Sequence, residues 1–270
     1  MTLESCKYAT AGLAFDRLAA EYDALFTFSA VGKSQREVVW ERALAIFAPG
    51  SHILELNCGT GEDALFLTKA GMKVTACDAS SEMIVQARNK VSLEGLGAQI
   101  DFHTLPTEQI SSLPQPRHFD GLFSNFSGLN CVHDLGSVAR QIAIQLSPGA
   151  PLLLCVSTRY CLWEIAYYML RGNPSKALRR CKGSTQAHVG DLMFPVHYPK
   201  ISELCRAFGP NFRLVSTTGI GITVPPSYLE SWILHHPRLL ALLKKIDDLV
   251  CKWPIARALG DHMLLHMERV

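Results

Sequence analysis

The sequence lacks several features that would place it in a specialised class. It has no excess of either charge, because 26 lysines and arginines stand against 24 aspartates and glutamates in 270 residues, and this balance does not indicate nucleic-acid binding. No apolar run approaches the roughly 20 residues that a membrane span requires. With 48% apolar residues, the chain can instead build a full globular core.

The nine cysteines lack any C-x-x-C pair and are widely scattered. Disulfide frameworks and zinc sites use closely spaced cysteines, so we expect no disulfide, no metal and a reduced, cytoplasmic setting. Cys58 and Cys131 lie near motifs described below, but neither has an evident partner base. We expect them to pack as small core residues and not to react as thiolates.

From about residue 51 the chain alternates apolar strands with helical segments, which predicts an α/β fold with a parallel sheet and right-handed crossovers. The strands are predicted at 52–56, 73–77, 100–104, 121–124, 151–156, 212–217 and 262–269. The helices are predicted at 14–22, 35–47, 62–70, 81–90, 135–146, 201–208 and 228–250, with a break at Pro237.

Residues 158–199 interrupt this alternation with an apolar helical stretch, CLWEIAYYML, and then a segment rich in glycine, histidine and proline that we interpret as irregular. We therefore expect one domain over residues 1–270. An N-terminal helical lid over residues 1–48 and a substrate cap over 158–199 would cover its site.

A glycine-rich turn follows the first strand in the stretch LELNCGTGED, residues 54–63. Gly59, Gly61 and Ala64 satisfy the dinucleotide fingerprint G-x-G-x-x-A. Asp78 ends the next strand, where an acid would hold ribose hydroxyls. The alternative is an ordinary tight turn with a helix-capping aspartate. The context of a strand on each side favours a nucleotide that contains ribose.

The acids around this turn bear on which nucleotide it holds. Glu55 closes the strand, and Glu62 and Asp63 open the helix. Three carboxylates would repel a pyrophosphate, which needs positive potential at the helix N-terminus. They suit a ligand with ribose, adenine and a cationic tail, such as S-adenosylmethionine. An NAD-type oxidoreductase is the competing interpretation.

Several motifs resemble those of the class I S-adenosylmethionine-dependent methyltransferases. ELNCGTG at 55–61 resembles their glycine motif, VTACDASSEMI at 74–84 the second motif and FDGLFSNFSGLN at 119–130 the fourth-strand motif. LSPG at 146–149 resembles the turn before the fifth strand. FDRLAAEYD at 15–23 resembles the lid helix of the ubiquinone/menaquinone methyltransferase branch.

This resemblance implies a fold, a cofactor and a set of contacts. The fold would be a Rossmann-like, doubly wound sheet of seven strands, mostly parallel with an antiparallel last strand. S-adenosylmethionine would be the cofactor, with Asp78 on its ribose and with Asn125 and Phe126 beside the reacting methyl group. From the lid, Tyr22 would reach the cofactor carboxylate or the acceptor. Arg36 would neutralise that carboxylate, and the alternative for Arg36 is an ordinary position on the helix surface. The full cofactor set is Glu55, Asn57, Gly59, Thr60, Gly61, Asp78, Ala79, Met83, Thr107, Glu108, Asn125, Phe126, Tyr22 and Arg36.

Two positions depart from the family pattern. Asn57 stands at the first motif glycine, and asparagine tolerates the left-handed backbone that the turn needs. Pro106 stands where the family usually has an acid for the adenine amino group. We expect adenine to be held by backbone groups of residues 105–107 or by Glu108.

The methyl acceptor is less well defined by the sequence. Trp163 and Tyr167 in the apolar helix, and His197, are candidates to bind a small apolar metabolite such as a quinone. The alternative for the helix, which its composition favours, is a packed core element. The basic segment 176–182 is either a solvated face or a contact for an anionic acceptor or membrane. The SNFS sequence after the fourth strand differs from the signature of enzymes that methylate bases, so no nucleic-acid partner is expected.

Three functions remain open from the sequence: a methyltransferase, an NAD-type oxidoreductase, and a non-catalytic binding module built on a methyltransferase-like domain. In-line methyl transfer needs a base only if the acceptor must lose a proton. His133 and His197 are the first candidates, ahead of His103 and His188, but no catalytic residue is assigned.

Overall fold

The computed structural model describes residues 3–114 and 118–270. Its strands are β1 His52–Leu56, β2 Lys73–Asp78, β3 Ile100–Thr104, β4 Gly121–Ser124, β5 Pro151–Ser157, β6 Ser184–Val189, β7 Leu192–His197, β8 Phe212–Ile220 and β9 His262–Arg269. Its α-helices are α1 Leu3–Tyr22, α2 Ala30–Ile46, α3 Glu62–Lys69, α4 Ser81–Leu93, α5 Leu135–Gln145, α6 Leu162–Leu170, α7 Pro174–Ala177, α8 Ile201–Phe208, α9 Glu230–Leu234 and α10 Pro237–Val250.

Seven strands form one sheet in the order β3-β2-β1-β4-β5-β9-β8. The first five strands pair in parallel, and β9 runs antiparallel to both β5 and β8. This confirms the predicted Rossmann-like sheet of seven strands with an antiparallel last strand. The crossover helices cover both faces, which explains why β4 and β5 are buried almost throughout.

Two apolar cores lie on the two faces of the sheet. Alternate residues of β1 divide between them, because Leu54 and Leu56 pack with α5 and α8 while Ile53 packs with α2, α3 and α4. Glu55 therefore points to the same side as Ile53, under α2 and α3. This placement decides what Glu55 can contact.

The chain departs from the sequence prediction in two places. Helix α1 begins at Leu3 and α2 at Ala30, so both N-terminal helices are longer than the predicted 14–22 and 35–47. The segment interpreted as irregular within 158–199 contains an antiparallel hairpin of β6 and β7. Gly190, which has a positive φ of 58°, starts its two-residue turn.

The carboxyl ends of β1 to β5 meet at one edge of the sheet, where open α/β sheets bind ligands. Helix α1 and the β6–β7 hairpin pack against each other, joined by the contact of the Phe15 and Phe194 rings at 5.7 Å. Together they lie over this edge.

Candidate functional site

The turn after β1 has the left-handed backbone that the motif predicts. Gly59 and Gly61 have φ of 53° and 74°, and Asn57, in place of the first motif glycine, has φ of 56°. The prediction that asparagine preserves the turn is confirmed. Gly61 also allows close packing of α4, because a Cβ at this position would lie 2.8 Å from the Ala87 Cβ.

The Asn57 side chain is fixed by its neighbours from two other strand ends. Thr107 Oγ1 donates a hydrogen bond to Asn57 Oδ1 over 2.9 Å, and Asn57 Nδ2 lies 3.4 Å from Ser124 Oγ. Gly128 leaves the space that this side chain occupies, since a Cβ on Gly128 would overlap the Asn57 side chain. The departure at position 57 is thus matched by a glycine 71 residues later in the chain.

Asp78 ends β2 beside the glycine turn. Its Oδ2 accepts a hydrogen bond from Gly59 N at 2.9 Å, and its Oδ1 accepts one from Ser80 N at 2.9 Å. Burial raises the pKa of this carboxyl group, while these backbone donors oppose the rise. The carboxylate thereby holds the turn against the next strand and presents a fixed acceptor to the space above it.

A cavity of about 300 Å³ lies above the turn. Ten of the fourteen predicted cofactor residues line it: Tyr22, Asn57, Gly59, Asp78, Ala79, Met83, Thr107, Glu108, Asn125 and Phe126. Burial raises the pKa of Glu108 in this cavity to about 7. Among the lining residues that the structure describes, the charged side chains are Asp78 and Glu108, and neither lysine nor arginine contributes.

The three acids of the sequence argument do not face this cavity. Asp63 pairs with Arg36, with Oδ2 2.6 Å from the Arg36 Nη1, and Glu62 pairs with Lys90 at 2.9 Å. Glu55 is 1% exposed beneath α2 and α3. Burial and the nearby Asp63 raise its pKa well above the ordinary value. The cavity is acidic as expected, but through Asp78 and Glu108.

Four predicted cofactor residues therefore have other places. Glu55 lies beneath the turn, Gly61 is buried within it against Ala87 of α4, and Thr60 donates a hydrogen bond to Asp23 Oδ1 at 2.5 Å. Arg36 was expected at the cofactor carboxylate, but it lies 4.7 Å from the centre of the Phe126 ring and lines a different cavity. Its ion pair with Asp63 takes up the charge that a cofactor carboxylate would need.

Helix α1 and the hairpin supply lining residues that the sequence did not identify. Asp16 Oδ1 accepts hydrogen bonds from Ser80 Oγ and from the backbone N–H of Glu82 in the first turn of α4. These bonds fix α1 over the turn. A Cβ on Gly12 would lie 2.8 Å from the Ala79 carbonyl oxygen, so this glycine permits the close approach. The additional lining residues are Ala11, Gly12, Phe15, Pro106, Ser127, Gly128, Cys131, Val132, Ala187, Phe194 and Val196.

A second cavity, of about 390 Å³, adjoins the first. The two share four lining residues: Phe15, Tyr22, Phe126 and Ser127. Its walls are mostly apolar, with a polar end built from Ser157, Arg179, Arg180, Tyr228, Asp261 and His262. The backbone at the junction is held in the left-handed region, with φ of 45° at Phe126 and 69° at Ser127.

The polar end of the second cavity is a cluster of buried ion pairs. Arg179 and Arg180 both donate to the Glu164 carboxylate, over 2.6 Å and 3.0 Å. Arg180 also donates to Asp261 Oδ1 at 2.8 Å. Of the two alternatives for the basic segment 176–182, a solvated face does not describe Arg180, which is 8% exposed. Since acids balance these arginines, the cavity gains rigid donors without a net positive charge.

His262 is the histidine that lines the second cavity, and it belongs to none of the motifs found in the sequence. Its ring meets the Phe126 ring edge to face at 5.5 Å, and its Nδ1 lies 3.5 Å from Asp261 Oδ2. Burial lowers the pKa of His262, with Asp261 opposing the change. The neutral imidazole is therefore favoured at pH 7, and it can accept a proton. Only its proximity to Asp261 in the sequence could have indicated this role.

The predicted acceptor residues lie outside both cavities. Trp163 Nε1 donates to the Thr223 carbonyl oxygen at 2.8 Å, and Tyr167 packs against Tyr168 and Tyr228. His197 and His133 meet at 5.7 Å in an open groove on the other side of the hairpin. The helix α6 is thus a packing element, and its Glu164 is the member that organises the cavity.

Two other predicted bases also lie away from the cavities. His103 pairs with Asp101 at 3.1 Å on β3, and His188 is exposed on β6. Burial raises the pKa of the Cys131 thiol to about 12 and raises that of Cys58 as well, so both stay protonated. Cys58 packs in the core as expected, whereas Cys131 is partly buried and lines the first cavity. The cysteines that the structure describes are free, and its described residues include no cluster fit for a metal.

Comparison with known proteins agrees with this site. Residues 53–149, which include the turn, Asp78 and two of the four junction residues, Phe126 and Ser127, match a family model described as a methyltransferase domain. An uncharacterized protein of Methanocaldococcus jannaschii is 26% identical over 78% of this chain and 80% of its own length. The demethylmenaquinone methyltransferase of Symbiobacterium thermophilum is 32% identical over 50% of this chain and 54% of its own.

The solved structure of the [4+2]-cyclase SpnF has a similar fold, with a TM-score of 0.63 at 16% identity, over 97% of this chain and 96% of that one. The match to the menaquinone enzyme spans about half the length of either protein. The interpretation as an NAD-type oxidoreductase loses its support, because the lining residues described here offer a pyrophosphate no cation and the matched model is that of a methyltransferase domain.

Proposed function

We propose that this chain, which belongs to the class I S-adenosylmethionine-dependent methyltransferases, transfers a methyl group to an oxygen, carbon or nitrogen atom of a small, apolar metabolite. The observation that supports this most strongly is the pair of cavities that meet at Phe15, Tyr22, Phe126 and Ser127. A cofactor in one cavity and an acceptor in the other would face each other at this junction, as in-line displacement requires.

The first cavity suits the cofactor. S-adenosylmethionine supplies a methyl group that its sulfonium already activates. Asp78 would accept hydrogen bonds from the ribose hydroxyls, and Glu108 would take the adenine amino group in place of the acid that Pro106 displaces. The space above Gly59 is open, since a Cβ there would meet only the Tyr22 ring at 3.9 Å. Acidic walls without a lining lysine or arginine favour the cationic end of this cofactor.

The second cavity would bind the acceptor. Its apolar walls from α1 and from Phe26 and Val31 favour an apolar body, and its arginines are balanced by Glu164 and Asp261. Residues 1–48 would act as the lid and 158–199 as the cap, because α1, the hairpin and Arg179 and Arg180 line the cavities. Closure of these walls would keep water from the reacting atoms. The free cysteines suit a reduced, cytoplasmic setting.

His262 is the residue placed to act as a general base. It lines the second cavity beside Phe126, and its Nδ1 is buried toward Asp261, which leaves Nε2 as the ring nitrogen for the cavity. An acceptor hydroxyl or acidic C–H would give its proton to Nε2 while the new bond to the methyl carbon forms. The imidazolium so produced would be stabilised by Asp261. This arrangement favours acceptors that must lose a proton, such as phenols.

The test combines binding with turnover. Calorimetry should give one site for S-adenosylhomocysteine, and label from methyl-labelled S-adenosylmethionine should pass to members of a panel of hydroquinones, catechols and phenols. The substitution Ser157→Trp would fill the acceptor cavity, so it should abolish methyl transfer and leave the binding of S-adenosylhomocysteine unchanged. If neither cofactor form binds, the proposal is wrong.

A second candidate function is cofactor binding without methyl transfer. It is suggested by the [4+2]-cyclase of similar fold and by the departures at Asn57 and Pro106. Tight binding of S-adenosylhomocysteine, together with no label transfer to any panel member, would favour this function over methylation.

A further inference from the structure

Exposed apolar side chains concentrate in two segments of the described chain. About half of the large apolar side chains that are exposed lie in residues 160–178 and 228–255, which make up less than a fifth of the chain. Trp253 is 62% exposed, Leu249 73% and Ile255 78%. A single exposed apolar residue needs no explanation, but a concentration of this kind marks an interaction surface.

The two segments adjoin each other. The Trp163 ring of α6 contacts the Trp232 ring of α9 at 6.4 Å, and Leu162 N donates to the Leu259 carbonyl oxygen at 2.9 Å. The residues that we call the apolar surface are Leu162, Trp232, Leu234, Leu249, Trp253 and Ile255. The surface is therefore built jointly by α6, α9, the end of α10 and the segment that follows it.

Basic side chains accompany this surface. Arg238, Lys245 and Lys252 are exposed at intervals of seven residues along and just beyond α10, so they share one face of it. The nearby acids are mostly engaged inside the molecule. Glu230 accepts the backbone amides of Ala30 and Val31, and Asp247 accepts those of Ile222 and Thr223. Asp248 is the acid exposed on this helix.

We propose that the apolar surface docks this protein onto a membrane surface that contains anionic lipids. Tryptophan, leucine and isoleucine would enter the boundary between headgroups and acyl chains, and Arg238, Lys245 and Lys252 would contact the headgroups. Trp253 suits this position because its ring is apolar and its N–H can stay hydrated. Among the described residues, no helix combines the length and apolarity of a membrane span.

Helix α6, which carries Leu162 of the apolar surface, also packs against a residue of the acceptor cavity. Tyr228 lines that cavity, is 39% exposed and packs against Tyr167 and Tyr168 of α6. When the protein is docked on a membrane, its acceptor cavity would thus lie close to the lipid phase, from which an apolar metabolite could enter the cavity. The docking proposal goes beyond methyl transfer and does not depend on it.

A second copy of the chain fits the surface less well. A symmetric dimer would bring the same basic residues from both copies to one interface, and like charges there repel. Anionic headgroups instead complement Arg238, Lys245 and Lys252. Charge therefore favours an anionic membrane over a second copy of the chain, and the experiment below also measures the oligomeric state.

The experiment is flotation of the full-length protein with vesicles. With vesicles of phosphatidylglycerol and phosphatidylcholine we expect binding that weakens in high salt, and with pure phosphatidylcholine much less binding. The double substitution of Trp253 and Ile255 by Ser should reduce binding at least about tenfold. Lys252→Glu should reduce it by about fivefold or more, because each basic side chain near an anionic surface contributes about that much.

Leu93→Ser is the matched control, because Leu93 is 90% exposed on α4 and lies outside the apolar surface. It should float like the unmodified protein. Each variant should bind S-adenosylhomocysteine normally in calorimetry, which separates this proposal from that of methyl transfer. No flotation with phosphatidylglycerol vesicles, equal loss in Leu93→Ser, or a dimer that the Trp253 and Ile255 substitutions dissociate would overturn the proposal.

Discussion

Gly128 lies directly against the side chain of Asn57, so that a Cβ on Gly128 would overlap it. The two residues come from the turns after β4 and β1. Their contact connects the cofactor turn with the junction of the two cavities, because Gly128 follows Phe126 and Ser127. A sequence departure at the motif is thus accommodated by the residue across from it.

This contact predicts a coupled pair of substitutions. Gly128→Ala should lower the free energy of unfolding by about 1–3 kcal/mol, as overpacking usually does. Asn57→Gly restores the motif glycine and removes the overlapped side chain, so the double variant should recover most of that loss. Urea unfolding of the four proteins measures the coupling. Gly97→Ala is the control, since a Cβ there meets nothing within 4 Å. Strictly additive effects would refute the contact.

Asp78 should control cofactor affinity. Asp78→Ala removes the acceptor proposed for the ribose hydroxyls, and each hydrogen bond to a charged group contributes about 1.5–3 kcal/mol. We therefore expect S-adenosylhomocysteine to bind at least about tenfold more weakly in calorimetry. This change corresponds to the loss of roughly one such hydrogen bond. Asp101→Ala, on β3 with a side chain 46% exposed, is the control and should bind normally. Unchanged affinity in Asp78→Ala would place the ribose elsewhere.

Glu108 should make binding depend on pH. Burial raises its pKa to about 7, so the carboxyl group holds a proton below neutral pH. The adenine amino group donates a hydrogen bond, which only the ionised carboxylate accepts well. Binding then releases a proton, and the affinity for S-adenosylhomocysteine should rise between pH 6 and 8 and level off above. In Glu108→Gln the affinity should stay flat over this range. The same slope in both proteins would show that backbone groups hold the adenine.

His262 should matter for transfer and not for cofactor binding. His262→Gln should lower the transfer rate by about 10²-fold or more, the contribution of a positioned base. Since the pKa of His262 is lowered, the base form persists below pH 6.5, and the acid limb of the rate profile should lie below that value. Rates of label transfer across pH measure this. An unchanged rate in His262→Gln would mean that the acceptor loses no proton in the transfer.

Local patterns in the sequence predicted the sheet and much of the cofactor cavity, because the strands, the turn and Asp78 are encoded by short segments. The left-handed backbone of Asn57 followed in the same way from its residue type. The β6–β7 hairpin could have been found, since Gly190 and Asp191 form a two-residue turn signal between the six-residue runs STQAHV and LMFPVH.

The second cavity could not be predicted locally. Its polar end joins Glu164, Arg180 and Asp261, which lie up to 97 residues apart and meet only in the folded chain. A basic run in a sequence usually indicates a solvated face, and only the buried acids reverse that expectation. Glu55, Glu62 and Asp63 were expected to face the ligand, but the sequence could not show that Arg36 pairs with Asp63 and Lys90 with Glu62. The acids of the cavity are Asp78 and Glu108 instead.

The structure of the complex with S-adenosylhomocysteine tests the central claim most directly. Our account predicts ribose hydroxyls on Asp78, adenine beside Glu108, and sulfur at the junction formed by Phe15, Tyr22, Phe126 and Ser127, facing the second cavity. A sulfur atom turned away from that junction, or a ligand that leaves Asp78 without contact, would contradict it.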